Sequence, residues 1–252
     1  MPNLPDSSDH PSTEDSDITF RSDVTVELVR ASARDADVVF AARVSTVGES
    51  SVEDVDSDAQ RSAGLIRYLM RERHGSPFEH NSMTFFVQAP IFVWREHMRH
   101  RIASYNEESG RYRELRPIFY VPNETRSVVQ DGKPGAYEFH PGTPEQYDVI
   151  DSATRESCAV AYDAYKRMLD AGIAREVARM VLPVTIYSSA YVTMNARALM
   201  NFLSLRKKSD DATYPSYPQR EIEMVAEAYE EHFARLMPIT HEAFVASGRV
   251  AP

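Results

Sequence analysis

"MTFFVQAPIFVWREHMRHRI", residues 83–102, is the stretch that decides the fold. Its first seven residues, Met83 to Ala89, are β-branched and aromatic and read as a strand. Pro90 suits the first turn of a helix, where no amide hydrogen is needed. The reading carries that helix to about Ile102. Strand, tight turn and helix deliver the chain to "RHRIASYNEESGRY" (99–112), read as an irregular stretch just past the helix end. That stretch sets Arg99, His100, Arg101 and Arg111 beside Glu107, Glu108 and hydroxyl residues. Guanidinium groups grip phosphate through paired donors and keep their charge at every relevant pH. Irregular segments held by rigid elements often carry function. The stretch therefore reads as an anion-binding site. The bland alternative is a set of salt bridges from these arginines to Glu107 and Glu108.

Charge sharpens the point. The chain has a formal net charge of −10, which argues against general nucleic-acid binding over a basic surface. Yet between Arg95 and Arg116 there are six arginines and two histidines against four glutamates. Such an island focuses a small anion into a cleft. His100 between two arginines reads as neutral, because its cationic form is disfavoured there.

Upstream, "VTVELVRA" (24–31) alternates as a strand, and 35–46 reads as a helix. Residues 48–58 form an acidic loop whose Asp58 can cap the helix that follows. "HGSPFEHNS" (74–82) is turn chemistry. Residues 1–20 hold five acids and no Lys or Arg, and read as a disordered tail; 21–252 reads as one domain. Downstream, 122–146 is polar and rich in turn residues, so it reads as a long surface loop. Thr143, Pro144 and Gln146 open a capping-box helix that runs to Gly172. Residues 174–183 form a short helix stopped by Pro183. A strand at 186–194 leads to Asn195, the cap of a helix at 196–206, on which Arg197 and Asn201 lie one turn apart. Residues 207–218 are a loop, and an amphipathic helix at 219–237 closes the domain.

Length and 42% hydrophobic residues allow a sizeable core. No apolar run reaches the roughly 18 residues of a membrane span, and the start lacks the order of a secretory signal. A cytoplasmic protein without membrane attachment is the expectation. The single cysteine, Cys158, excludes an intramolecular disulfide framework, and its setting in the long helix reads as a buried small residue. His74 and His80 stand six apart across a proline, and no HExxH or CxxC occurs, so no metal is expected. No phosphate-cradling GxGxxG or GxxxxGK[ST] occurs either, so side chains must hold any nucleotide. Arg179 and Arg206 follow or precede apolar residues, where an arginine usually has a partner.

These residues resemble a known family. Arg99-His100-Arg101, seven residues, then Ser109 is similar to the RHR-x7-S signature of flavin-dependent thymidylate synthases. "HGSPFEH" and "APIFVWREHMRHR" before it, and "REVARMVLP" and "NARALMNFLSLR" after it, extend the resemblance over about residues 24–206. The resemblance implies conversion of dUMP to dTMP, with methylenetetrahydrofolate as carbon donor, FAD as hydride carrier and NADPH as reductant. It implies that no enzyme cysteine acts as a nucleophile. It implies an α+β single domain with a central, mostly antiparallel sheet flanked by long helices, assembled as a homotetramer with sites shared between subunits. Carried over by motif, Glu96, His97, Met98, Arg99, Glu107, Glu108, Ser109, Gly110, Arg111, Arg179 and Arg206 would contact dUMP. Arg206 would act at the uracil as the catalytic cation. His74, Ser76, Arg99, His100, Arg101, Glu107, Asn195, Arg197 and Asn201 would bind FAD. The loop after Arg206 is longer than the family commonly has and lacks its histidine. Two other readings of the island compete: an RNA- or nucleotide-binding module with stacking His and Tyr residues, and a cysteine-dependent synthase using Cys158.

Overall fold

The computed structural model describes residues 18–48, 59–133 and 136–252. The expected acidic loop and its capping Asp58 fall almost wholly outside them, as do residues 1–17. The central sheet has four antiparallel strands in the order β2 (Thr25–Ser32), β3 (Ser82–Pro90), β8 (Tyr187–Met194) and β4 (Ser104–Glu107). Period-two alternation on β3 puts Met83, Phe85, Val87 and Ala89 on one buried face. They align with Met194, Val192, Ala190 and Ser188 of β8.

Helices cover that face. α6 (Ala196–Arg206) supplies Leu199, Phe202 and Leu203, and α7 (Arg220–Leu236) supplies Ile222, Val225, Tyr229 and Phe233. α1 (Asp35–Val47), α2 (Ala59–Arg71) and α8 (Pro238–Ala246) close the same cluster with Val38, Ile66, Met70 and Phe244. A second cluster lies under the long helix α4 (Pro144–Asp170), where Cys158, Tyr162 and Tyr165 pack with Phe119 and Ile186. The chain is thus one domain of mixed helix and strand built on an antiparallel sheet.

Several expectations stand. Thr143 and Gln146 form the reciprocal capping box of α4, and Gly172 just beyond it has φ +78. Asn195 accepts from the Ala198 amide at 2.9 Å to cap α6.

Four expectations need correction. First, α3 (Ile91–His97) stops five residues before Ile102. The Tyr105 hydroxyl, shared between the carbonyls of His97 (3.1 Å) and His100 (2.8 Å), satisfies acceptors that a continuing helix would have used. Second, the stretch after it is not irregular throughout: Ser104–Glu107 is the edge strand β4, paired to β8. Its polar residues hide the period-two signal. Third, the loop at 122–146 contains a hairpin of β6 (Val129–Lys133) and β7 (Ala136–His140), which stands apart from the central sheet. Fourth, the tail boundary at residue 20 falls inside a strand. β1 (Thr19–Arg21) pairs in parallel with β5 (Ile118–Tyr120), and Phe20 packs on Phe119 with ring centroids 6.2 Å apart. Within the expected domain of 21–252, the sequence reading named no helix after 219–237, whereas α8 follows at once behind Pro238.

One buried carboxylate fastens the end of the domain. Glu230 of α7 takes both Arg249 guanidinium nitrogens at 2.9 Å, His241 Nε2 at 2.7 Å and Lys207 Nζ at 2.6 Å. Burial alone would raise its pKa. The bonds from His241, Arg249 and Lys207 outweigh burial and hold it well below the ordinary carboxylate value. A depressed pKa contributes stability above the unfolded value near 4.5, lost as pH falls toward the folded one. Glu230→Gln is therefore expected to lower unfolding free energy at pH 7 by about 3 kcal/mol. The variant should also flatten the loss of stability between about pH 5 and pH 3, read from urea midpoints across pH. An unchanged pH slope would contradict the role of the ionised carboxylate.

Candidate active site

The site grows from the end of α3. Trp94 donates from Nε1 to the carbonyls of Ala89 (3.1 Å) and Ser188 (3.2 Å), which ties the helix to β3 and β8. One turn on, His97 is fully buried. Its Nε2 lies 2.9 Å from the Tyr229 hydroxyl and its Nδ1 3.3 Å from that of Tyr105. Burial, with His100 and Arg206 nearby, pushes its pKa down to about 3. The His97 side chain thus lies beneath the surface and does not line the cleft described below. Helical spacing explains this: His97 falls on the same face as Trp94.

With His97 pinned inward, the chain turns outward. Arg99 and Arg101 are exposed, while His100 packs against Phe202 with ring centroids 4.6 Å apart. His100 Nε2 accepts from Arg206 Nε at 3.0 Å, and Arg206 donates from its second nitrogen to Glu96 at 2.7 Å. This is the partner expected for Arg206. His100 is neutral, with its pKa lowered to about 4, as expected, but from burial first and Arg206 second. Its flanking arginines are not the cause.

His100 also forms one wall of a cleft of about 390 Å³. Arg101, Asn195, Arg197 and Asn201 line it with Glu79, over a floor that includes Met194 and Phe202. Five expected cofactor residues therefore meet in one place. Expected contacts His74, Ser76, Arg99 and Glu107 lie outside this lining. The 74–76 loop is nevertheless close: a Cβ on Gly75 would stand 2.6 Å from the Arg197 guanidinium carbon. Asn81 joins the loop to α6 by accepting from the Ala196 amide at 2.8 Å.

The remaining anion-site residues sit along β4 and the turn after it. The Ser188 hydroxyl donates to Glu107, and the Ser189 amide donates to Glu108 at 2.9 Å, so both carboxylates serve the sheet edge. The bland reading expects Arg111 on Glu107 or Glu108; Arg111 instead reaches Glu176 at 2.7 Å, and it is Arg113 that reaches Glu108, at 3.6 Å. The Arg111–Glu176 pair is more than half exposed on the arginine side, so it is weak and replaceable. Ser109 accepts from the Arg111 amide at 3.2 Å. Gly110 is buried, and a Cβ there would meet Leu115 at 3.1 Å and the Arg179 stem at 3.2 Å. Arg179 is exposed beside it. Met98 is 39% exposed and points away from the core.

Comparisons with known proteins place the chain in a family. Residues 27–239 match the model of the Thy1 family, described as thymidylate synthase complementing protein. The flavin-dependent thymidylate synthase of Streptomyces coelicolor is 62% identical over 240 residues, covering 95% of this chain and 98% of its own. That of Tropheryma whipplei is 60% identical over 236 residues, covering 94% and 98%. The chain belongs to the flavin-dependent thymidylate synthase family. Among solved structures, a UMP/dUMP methylase, PolB, from Streptomyces cacaoi bound with 5-Br dUMP superposes with a TM-score of 0.89. It is 58% identical over 93% of this chain and 100% of that one. The same protein bound with 5-Br UMP gives 0.86 at 57% identity.

Within the family frame, sequence reasoning missed Tyr105 and Tyr229, which aim the RHR turn, and Glu79 and Phe202, which shape the cleft. Tyr105 sits opposite Val192 on β4, so recognising that edge strand would have placed it. Tyr229 and Phe202 carried only the signal of amphipathic helices. The depressed histidines give a test. Below about pH 6.5 the unfolded chain binds protons that folded His97 and His100 refuse, so stability falls with pH there. Ring nitrogen NMR should find both neutral at pH 6. A His100 midpoint near 6.5 would contradict its packing between Phe202 and Arg206.

Proposed function

We propose that the cleft on α6 holds FAD, that the turn at Ser109–Arg111 with Arg179 holds the dUMP phosphate, and that Arg206 faces the uracil. The chain, as a member of its family, converts dUMP to dTMP with methylenetetrahydrofolate as carbon donor and NADPH as reductant. One observation carries the placement: His100 touches Arg206 and lines the cleft, so the two halves share a wall.

The residues present fit a flavin dinucleotide. Arg101, Arg197, Asn195 and Asn201 converge as donors on a cleft with an apolar floor, and its volume suits one ring system of the cofactor. When bound, FAD supplies the hydride chemistry. The chain supplies position and charge. Arg197 and Asn201 lie one turn apart on α6, with Asn195 at its N-cap, and would grip the cofactor's polar groups. Arg99, Glu107, His74 and Ser76 are assigned to its outer reaches, where a neighbouring subunit would complete the site. Glu96, Met98 and Glu108 are assigned to the substrate side with Ser109, Gly110 and Arg111. The close approach at Gly110 lets the backbone near a phosphate come within reach of Arg179.

Arg206 stands at the last turn of α6, about 16 Å along the helix from Asn195. Glu96 and neutral His100 fix two sides of its guanidinium, and it remains about one-fifth exposed. A fixed cation aimed at the pyrimidine stabilises negative charge that develops on the ring as C5 is activated, without reorganisation at the moment of reaction.

A homotetramer belongs to this reading. Its support is the apolar surface beside the site, where Ile102, Tyr112 and Met180 are at least three-quarters exposed next to exposed arginines. The exposed Val149 and Val160 on α4 add a helical face of the same kind. A cytoplasmic location is part of the proposal, because dUMP and NADPH are pools of that compartment.

The test is dTMP formation from dUMP, methylenetetrahydrofolate and NADPH, with and without FAD. Product is expected only with flavin. Arg206→Ala should fold and keep FAD but lose about 10²- to 10³-fold in kcat. Wild-type turnover in that variant would remove Arg206 from the reaction.

A further inference from the structure

Arg73 precedes His74 and has φ +60, a left-handed conformation that few residues other than glycine adopt without something to hold them. Its guanidinium donates to the Ala251 carbonyl at 2.9 Å. On the other side of the 73–76 loop, Arg197 Nε donates to the next carbonyl, that of Pro252, at 2.7 Å, while its NH1 reaches Glu79. Gly75 lies between: a Cβ there would stand 2.6 Å from the Arg197 guanidinium carbon and 2.8 Å from the Pro252 oxygen. Two arginines thus grip consecutive carbonyls of one segment across a glycine that leaves them room. That segment is itself rooted. Arg249 makes its paired bonds to buried Glu230, has φ +56, and leads into Ala251, which is 6% exposed.

We propose that Arg73 is a positioning residue for the cofactor cleft. It clips the segment 249–252 against the loop that carries His74 and Ser76, and the Pro252 carbonyl in turn sets the direction of Arg197 along the cleft wall. The Pro252 oxygen takes Arg197 Nε and Glu79 takes one terminal nitrogen, which directs the other terminal nitrogen for the cleft. The inference rests on the reading of this cleft as the FAD site.

Three variants separate the clip from backbone strain. Arg73→Gly and Arg73→Asn both tolerate positive φ, and neither reaches the Ala251 oxygen. Arg73→Lys keeps a cationic donor of sufficient length. FAD affinity is read by flavin fluorescence, and KM for dUMP and kcat are read at saturating FAD. The Gly and Asn variants should bind FAD about tenfold more weakly, the scale of one lost charge-assisted hydrogen bond. Their dUMP KM and kcat should stay near wild type, and Arg73→Lys should recover most of the affinity. Unchanged FAD affinity in the Gly and Asn variants would overturn the proposal. So would an equal loss in Arg73→Lys, or a loss spread over dUMP binding and turnover. Arg197→Ala distinguishes the two levels. If it loses FAD while the Arg73 variants do not, only the clip fails. If it binds FAD as wild type does, the cofactor site lies elsewhere and both readings fail.

Discussion

The hydrogen bond between His97 and Tyr229, made inside the core, is the constraint on which the rest of the site depends. It joins the last turn of α3 to α7 at a point with no solvent access. A neutral imidazole there has both ring nitrogens against hydroxyls, so burial leaves no polar atom without a partner. Tyr105 does two jobs at the same place: it faces His97 from β4 and caps the carbonyls of His97 and His100. The helix must end there, and the next residues must turn out. Arg99 and Arg101 then reach solvent on either side of His100, which folds back onto Phe202. The outward arginines are therefore a consequence of an inward histidine two residues earlier.

Charge is handled in the same spirit. An acidic chain concentrates cations where β4, α3 and α6 meet. The cations at the heart of the site are held by single carboxylates, with Glu96 on Arg206 and Glu79 on Arg197. Each pair is partly exposed, so it orients the guanidinium at small cost and leaves other donors for a ligand. A deeply buried carboxylate network, on Glu230, lies behind this surface. It fixes Lys207 directly after Arg206, and it fixes Arg249 just before the residues that touch Arg73 and Arg197. Site cations are thus set from the front by weak pairs and from the back by a strong one.

What the sequence made legible follows from local physics. β3, β8, α4 and α6 are announced by alternation, by the Thr143 capping box and by the Asn195 cap, each of which acts within a few residues. The signature from Arg99 to Ser109 pointed to the family, to which the chain belongs. The errors came where tertiary contacts override local preference. "MRHRI" after His97 continues a helical pattern, and only a hydroxyl arriving from Tyr105 ends it. β4 is a strand because β8 offers it an edge, not because "SYNE" alternates. His97 stands beside the signature, yet the helical period turns its side chain inward with Trp94. The convergence of Arg73 and Arg197 on residues 251 and 252 spans more than fifty positions in sequence for each pair, and no local pattern carries it.

A crystal structure with FAD and dUMP bound tests the central claim most directly. The account expects the dUMP phosphate at Ser109–Arg111 with Arg179, and the uracil against Arg206. It expects the flavin along Asn195, Arg197 and Asn201, with His100 between the two ligands and His97 still buried on Tyr229. A flavin bound away from the α6 cleft, or a uracil out of reach of Arg206, would contradict it.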